Sequence, residues 1–507
     1  MTFRFHPLQC AVLLALAAPA AHATDLLQSY DAARQSDPRL GISEANRGAQ
    51  GEGVVQSRAS LLPQIDASAT LSKSNTNSSS ISSRPDASGN VTFGPTAGNS
   101  DISSRNYTVN LQQSIYDRAN YTRLDAARSR AEQYDALYDS AANGLIVRVA
   151  EAYFNVLSAI QDVASLRAQE RSLKRQLDQA NVRLEVGLAP ITDAQEAKAQ
   201  YDVARATSIT AATTLADARE ALTEITGQAA DHLKGLPADY TPQPLTPANV
   251  DAWVQQAVDN NPDVRAQQLA LDAANHDVET ARAGHLPTLA GSASYGKRAQ
   301  WGSSSFDNGS GASSTFPATS ANNGPSYSVQ LIVPIFSGFA TSSRVRQALF
   351  NRDAAADQLE LTKRSIVRQA RNYFNSVNAG LAEIEARRQA LLSAQTAYEA
   401  TETGLEVGTR TIVDVLITQQ QLFSAQRDYA RARNAFIVNG LRLRQAAGSI
   451  TIDDLANVNR LLTADAENAL QQPANGDLQT MPGLPSRPSS KLPLGAPPTK
   501  SGKGGKF

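Results

Sequence analysis

Apolar and polar residues alternate over two short stretches in each half of the chain. In QIDASATLS (64–72), Ile65, Ala67, Ala69 and Leu71 alternate with Asp66, Ser68, Thr70 and Ser72. In YTVNLQQSI (107–115), Tyr107, Val109, Leu111 and Ile115 alternate with Thr108, Asn110, Gln112 and Ser114. TLAGSASYG (288–296) and YSVQLIVPIF (327–336) carry the same period. Such a period sends one set of side chains to each face of a strand, so β-strands are expected at about 62–74, 106–116, 286–301 and 326–336. The Ser-, Asn- and Gly-rich stretches between them, Lys73 to Arg105 and Gly302 to Pro325, have the composition of exposed loops.

After each pair of strands the period becomes helical. Leu145, Val149, Tyr153, Val156 and Ile160 step by four, four, three and four, and Ile366, Ala370, Tyr373, Val377 and Ile384 keep heptad-like spacing. From Arg118 to Val186 there is no Pro, and Gly144 is the only Gly. A continuous helix of that length extends ~100 Å, and its Ala-rich faces suit close coiled-coil packing. Helices are expected at about 118–186, 191–228, 338–407 and 412–448, with shorter ones at Leu26 to Arg34 and Val254 to Val258.

The order of these elements repeats. Leu62-Pro63 returns as Leu286-Pro287, Tyr153-Phe154-Asn155 as Tyr373-Phe374-Asn375, LEVG at 184–187 as LEVG at 405–408, and Gly227 as Gly448. The offset stays near about 220 residues, the mark of an internal duplication. The chain therefore divides into a first repeat (24–232), a Pro-rich linker (233–248), a second repeat (249–450) and a C-terminal segment (451–507). The last part of that segment is rich in Pro, Gly, Ser and Lys and is expected to be disordered.

Composition narrows the class. With 47 basic and 48 acidic residues the net charge is -1, which gives no basic excess for nucleic acid. Residues 1–23 have the form of a signal peptide: a basic start at Arg4, an apolar run too short to span a bilayer, and the small-x-small site Ala21-His22-Ala23. The single Cys, Cys10, falls inside it, so the mature chain is expected to hold no disulfide. Leu8-Gln9-Cys10 resembles the end of a lipobox, but a lipid-bearing Cys follows the apolar run and this one precedes it. Enzyme readings find little support. His232, His276 and His285 lack metal-ligand spacing, and Gly309-Ser310-Gly311 lies in a Ser/Asn stretch instead of a strand-to-helix turn. No cofactor, metal site or catalytic residue is expected.

Strand count then bears on assembly. Strands of ~10 residues with one apolar and one polar face match those of transmembrane barrels. Tyr116, Tyr295, Trp301 and Phe336 stand near the expected strand ends, where interfacial aromatics gather. An open sheet leaves its edges unsatisfied in lipid, and the smallest closed barrels have about eight strands. Four strands close only if several chains combine. A soluble sandwich also fits the strand pattern, though four strands cannot cover the long helices.

The stretches AYFNVLSAI, RQLDQA, VGLAPITDAQEAKAQYD, HLPTL, SVQLIVPIFSG and VGTRTIVDVL resemble the TolC-type outer-membrane channel-tunnel proteins, the outer membrane efflux protein family. The resemblance runs from DLLQSYDAARQSDPRL to GSITIDDLANVNRLL, and it favours the branch without a lipid anchor. It implies an α+β membrane protein in the outer membrane of a Gram-negative cell, extending into the periplasm. A homotrimer would form a 12-stranded β-barrel continuous with a 12-helix α-barrel, with the linker and C-terminal segments as an equatorial belt. The implied function is a gated exit duct for drugs, toxic small molecules or secreted proteins. Its implied partners are outer-membrane lipid, a periplasmic adaptor (membrane fusion) protein and an inner-membrane transporter of RND, ABC or MFS type. The alternative is a periplasmic coiled-coil scaffold without transport activity; a general porin would leave half the chain without a task.

The resemblance also assigns residues. The two LEVG phrases become helix turns at the periplasmic tip, where Val186, Gly187 and Leu188, with Val407, Gly408 and Thr409, would dock the adaptor; the plain alternative is that they are only turns. Gly187 and Gly408 suit helix C-termini, and Thr192 with Gln195 has capping-box spacing. Asp414 corresponds to a lumen-facing Asp whose three copies would form an acidic constriction, where crowded carboxylates would either raise each other's pKa or bind a multivalent cation. It also suits the first turn of a helix in its own right. The family pattern has a second Asp three residues on, where this chain has Ile417, so a weaker cation preference is expected. Arg410 matches a gate arginine, with Thr192 and Asp193 as its partners, or is a solvated cation at the tip. A family Tyr that also holds the Asp corresponds to Leu405, so that link is missing here.

Overall fold

Each half of the chain runs through helix, helix, sheet strands, long helix and shorter helix. The computed structural model describes residues 25–85, 88–237, 240–307 and 313–471. The first half contains α1 (Leu26–Ser36), α2 (Pro38–Ala59), β1 (Gln64–Pro85), β2 (Val91–Tyr116), α3 (Arg118–Glu185) and α4 (Ile191–Thr226). After a two-residue strand, β3 (Lys234–Gly235), the second contains α5 (Val250–Asn260), α6 (Pro262–Ala283), β4 (Thr288–Asp307), β5 (Ser313–Pro317), β6 (Ser320–Ile332), α7 (Ala340–Glu406) and α8 (Ile412–Ala446). Then follow α9 (Ile452–Leu461), β7 (Ala464–Asp465) and α10 (Asn468–Gln471). The expected signal peptide, Cys10, Gly309 to Gly311 and the Pro/Gly/Ser/Lys tail lie outside the described residues.

Two compact units result, each drawing on both halves of the chain. One contains the sheet and lies within Arg39–Ala141 and Val258–Ile366; the other comprises the remaining described residues. In the sheet unit every pairing is antiparallel: β1 with β2, β2 with β4, and β4 with both β5 and β6. Opposed residues share a face. One face carries Ile65, Ala67 and Ala69 of β1, opposite Leu111, Val109 and Tyr107 of β2. It continues through Ala293 and Tyr295 of β4 to Tyr327, Val329 and Leu331 of β6. The other face is polar. There Asn110 donates to Asp66 at 2.9 Å, and hydroxyls pair between Ser72 and Ser104, Ser292 and Ser328, and Ser294 and Ser326, each at 2.8 Å.

The strands outrun their expected ends. β1, β2 and β4 hold 22, 26 and 20 residues, so most of Lys73 to Arg105 and of Gly302 to Pro325 is paired ladder instead of loop. The β1–β2 register is unbroken from Gln64↔Gln112 to Pro85↔Val91. Ladder hydrogen bonds are made by backbone whatever the side chains, and these extensions are mostly Ser, Asn, Thr and Gly with isolated apolar residues such as Ile81, Phe93 and Phe306, so no sustained hydrophobic period marks them. Tyr295 and Trp301 consequently lie inside β4 instead of at its end. β6 stops at Ile332, short of the expected 336, because Pro334 supplies no N–H; Phe336 lies beyond it. The helix before Asn261-Pro262 is longer than Val254 to Val258, spanning all of α5.

In the helical unit the heptad residues of α3 form the core: Leu145, Val149, Tyr153, Val156 and Ile160 are fully buried. A polar seam runs beside them between α3 and α8. Glu151 accepts from Arg442 at 2.6 Å, Ser158 from Asn434 at 2.9 Å, and Asp162 from Arg431 at 2.6 Å. Ser165 then accepts from Arg427 at 3.5 Å and Ser172 from Gln419 at 2.6 Å. Numbers rise along one helix as they fall along the other, so the two are antiparallel. The linker is fastened nearby. Buried Arg433 of α8 donates to the Pro237 carbonyl and stacks between Tyr240 and Tyr429, its guanidinium carbon 5.6 and 5.4 Å from their ring centroids. Pairing of β3 with β7 joins the linker to the C-terminal segment.

Candidate functional site at the helix turns

Both LEVG phrases end a long helix in the same way. Gly187 has φ 74° and Gly408 φ 77°, the left-handed region in which a side chain is strained. In the first turn the Leu188 N–H donates to Arg183 O at 2.8 Å and the Gly187 N–H to Leu184 O at 3.0 Å. In the second, Thr409 N–H donates to Gly404 O at 2.8 Å and Gly408 N–H to Leu405 O at 3.1 Å. Each is a Schellman motif, which satisfies the last carbonyls of the helix. The motif leaves Val186, Leu188 and Val407 with 62%, 78% and 68% of their surface exposed, so each turn presents apolar side chains to its surroundings.

The helices that follow start differently. α4 is capped by Pro190, whose side chain makes no capping bond, so the expected Thr192–Gln195 box is absent. Pro190 fixes an extended backbone (φ -73°, ψ 156°) and makes Ile191 the first helical residue, which moves Thr192 inside the helix. Among the described residues Thr192 Oγ1 reaches only its neighbour, Asp193 Oδ1, at 3.5 Å. The box appears instead in the second turn. Thr411 caps α8, its hydroxyl accepting from the Asp414 N–H at 3.2 Å while the Asp414 carboxylate accepts from the Thr411 N–H at 3.0 Å. The Thr411 hydroxyl is also 2.9 Å from that carboxylate.

These bonds decide the state of Asp414. The Thr411 N–H, then its hydroxyl, hold the carboxyl below its ordinary range, with a smaller contribution from the charge of Arg410. Within one chain the direction is thus opposite to that expected of three crowded carboxylates.

Packing orients this first turn. Ile412 packs with Leu184 and Tyr201 on a core of Leu177, Ala180, Ala194 and Ala197, and Leu416 with Leu173 and Ala204. The start of α8 therefore lies against the α3–α4 hairpin. Val413 and Ile417, on the other side of α8, remain 39% and 49% exposed.

Arg410 does not meet its expected partners within the chain. Among the described residues no hydrogen bond or ion pair joins its side chain to Thr192 or Asp193. Its stem lies instead over Gly404, where an added Cβ would approach Arg410 Cγ to 2.7 Å. Gly404 was not singled out in the sequence; a Gly four residues before the turn glycine is its only signal. The Ser172–Gln419 bond behind the turn leaves no local signal at all. Among the described residues, no group of His, Cys, Asp and Glu could hold a metal ion.

The profile of the family described as "Outer membrane efflux protein" matches residues 29–228 and 253–449. The chain belongs to the outer membrane efflux protein family. It is 36% identical over 453 residues to outer membrane protein TolC of Vibrio cholerae, covering 89% of this chain and 97% of that protein. It is 30% identical over 440 residues to the alkaline protease secretion protein AprF of Pseudomonas aeruginosa, covering 86% of each. Among solved structures, the Campylobacter jejuni CmeC outer membrane channel superposes with a TM-score of 0.66 at 18% identity, covering 86% of this chain and 90% of that one. This last likeness concerns the fold.

Proposed function

We propose that three copies of this chain form an outer-membrane exit duct that serves efflux and type I secretion. The carrying observation is the sheet: one apolar face, one polar face, and β1 and β6 at its free edges. In hydrocarbon those edges require partners. β5 and β6 follow one another along the same edge of β4 and act as one interrupted strand. An edge of that strand that pairs with β1 of the next copy satisfies both, and three copies give a closed barrel of twelve strands with its polar face lining a water-filled lumen. Twelve helices would continue that lumen into the periplasm. The relatives support this reading, one named as an outer membrane protein and one as a protease secretion protein.

The helix turns form the periplasmic tip in this reading. Exposed Val186, Leu188 and Val407 offer apolar contacts to a periplasmic adaptor, beside Gly187, Gly408 and Thr409, and an inner-membrane transporter supplies the energy. Asp414 and Ile417 line the constriction, with Arg410 reaching Thr192 and Asp193 of a neighbouring copy to hold it closed.

Purified protein in planar bilayers tests the proposal. It should give small single-channel conductance that rises several-fold in Arg410→Ser, and a heat-modifiable trimer should be extractable from outer membranes. A monomer in the soluble periplasmic fraction would refute the duct; unchanged conductance in Arg410→Ser would refute the gate.

A further inference from the structure

On the apolar face of the sheet the alternation ends in positive charge. Along β1, Ile65, Ala67, Ala69 and Leu71 are followed on the same face by Lys73; along β2, Leu111, Val109 and Tyr107 by Arg105; along β4, Ala293 and Tyr295 by Lys297. Register gathers these residues. Leu71 is opposite Arg105, Tyr107 is opposite Lys297, and Ser103 separates Lys73 from Trp301. Aromatic rings border them: Tyr107, Tyr295, Tyr327 and Trp301 are all exposed, and the Arg105 guanidinium carbon lies 5.9 Å from the Trp301 ring centroid. Lys73 has Asp101 at 3.4 Å. Among the described residues Arg105 and Lys297 have no acidic partner. At the other rim of the band, next to the helices, this face presents Ile65, Gln113, Leu289 and Leu331, none of them charged.

The charge is therefore asymmetric across the apolar band, and it lies on the side of the hairpin tips, away from the helices. We propose that Arg105, Lys297 and Lys73 form a site for the phosphate groups of the glycolipid in the outer leaflet. This inference rests on the reading of the sheet as a wall of an outer-membrane barrel, with the helices on the periplasmic side. Lys and Arg on a lipid-facing surface are costly at mid-depth and tolerated near the interface, where aromatic rings also settle. A guanidinium held against an aromatic ring keeps its N–H fork free for a phosphate, and Lys supplies a point charge beside it.

The test uses the full-length protein in detergent, with immobilised lipopolysaccharide as the probe and the same lipid stripped of phosphate as its control. Wild type should bind the phosphorylated lipid, and Arg105→Gln with Lys297→Gln should weaken binding by roughly twenty-five-fold, about fivefold for each charge. Arg298→Gln, on the polar face, should bind as wild type, and the stripped lipid should bind wild type no better than the phosphorylated lipid binds the double variant. Equal binding of both lipids, or a double variant that binds like wild type, overturns the site. Outer-membrane fractionation and heat-modifiable mobility separate the two ideas. If wild type is not in the outer membrane, the barrel reading fails and this inference with it; if all variants are there as trimers and binding ignores phosphate, only this inference fails.

Discussion

Gly404 and Arg410 are in contact across the second helix turn: the Arg410 N–H donates to the Gly404 carbonyl at 3.1 Å, and a Cβ on Gly404 would come within 2.7 Å of Arg410 Cγ. Position 404 thus sets where the Arg410 side chain leaves the turn. Gly404→Ala should displace that side chain while raising intrinsic helix propensity by up to about 1 kcal/mol. Single-channel conductance should move toward that of Arg410→Ser without a fall in Tm; wild-type conductance in Gly404→Ala would show that the stem's position is immaterial.

The turn glycines answer a different requirement. Gly187→Ala and Gly408→Ala each force a side chain into left-handed backbone, at about 1–2 kcal/mol. Asn at either position should lose less, because it tolerates that conformation. Thermal melting of the four variants checks the order; Ala and Asn melting together with wild type would mean the turns relax.

Acid should loosen the second turn. The folded pKa of Asp414 lies below its unfolded value, so the stability its carboxylate contributes is present above the ordinary carboxylate range of about 3.9 and is lost as pH falls through the lowered folded value. Asp414→Asn should melt earlier than wild type at neutral pH, and the difference should shrink toward zero on acidification. A difference that persists unchanged at the acid end would exclude the charged capping box as its source.

Buried Ser172 and Gln419 form a hydrogen bond whose two halves should not be separable. Ser172→Ala alone strands the Gln419 amide, at about 1–3 kcal/mol, whereas Ser172→Ala with Gln419→Leu removes both polar groups together and should recover most of that loss. A double-mutant cycle on chemical or thermal unfolding measures the coupling. Strict additivity would mean the pair contributes nothing as a pair.

Legibility in the sequence followed the range of the signal. The α3 core was plain because Leu145 through Ile160 repeat at a spacing only a helix buries, and the apolar face of the sheet was plain as far as Leu71 and Tyr107. Beyond those residues apolar side chains such as Ile81, Phe93 and Phe306 are isolated among Ser, Asn and Gly, so strand and loop look alike in sequence although the backbone ladder continues. The Thr192 cap was misplaced because Pro190 fixes the helix start through its ring instead of through a side-chain bond. The α3–α8 seam was invisible because its partners stand 247 to 291 residues apart and no local period joins them.

That seam ties a helix of the first repeat to a helix of the second, and it limits how the gene can be recombined. A hybrid that takes its first half from one relative and its second from another would oppose Glu151, Asp162 and Ser172 with residues that never evolved against them. Crossovers should therefore be tolerated where α3 and α8 are inherited as a set, and the two halves of the chain should not be exchangeable independently of one another.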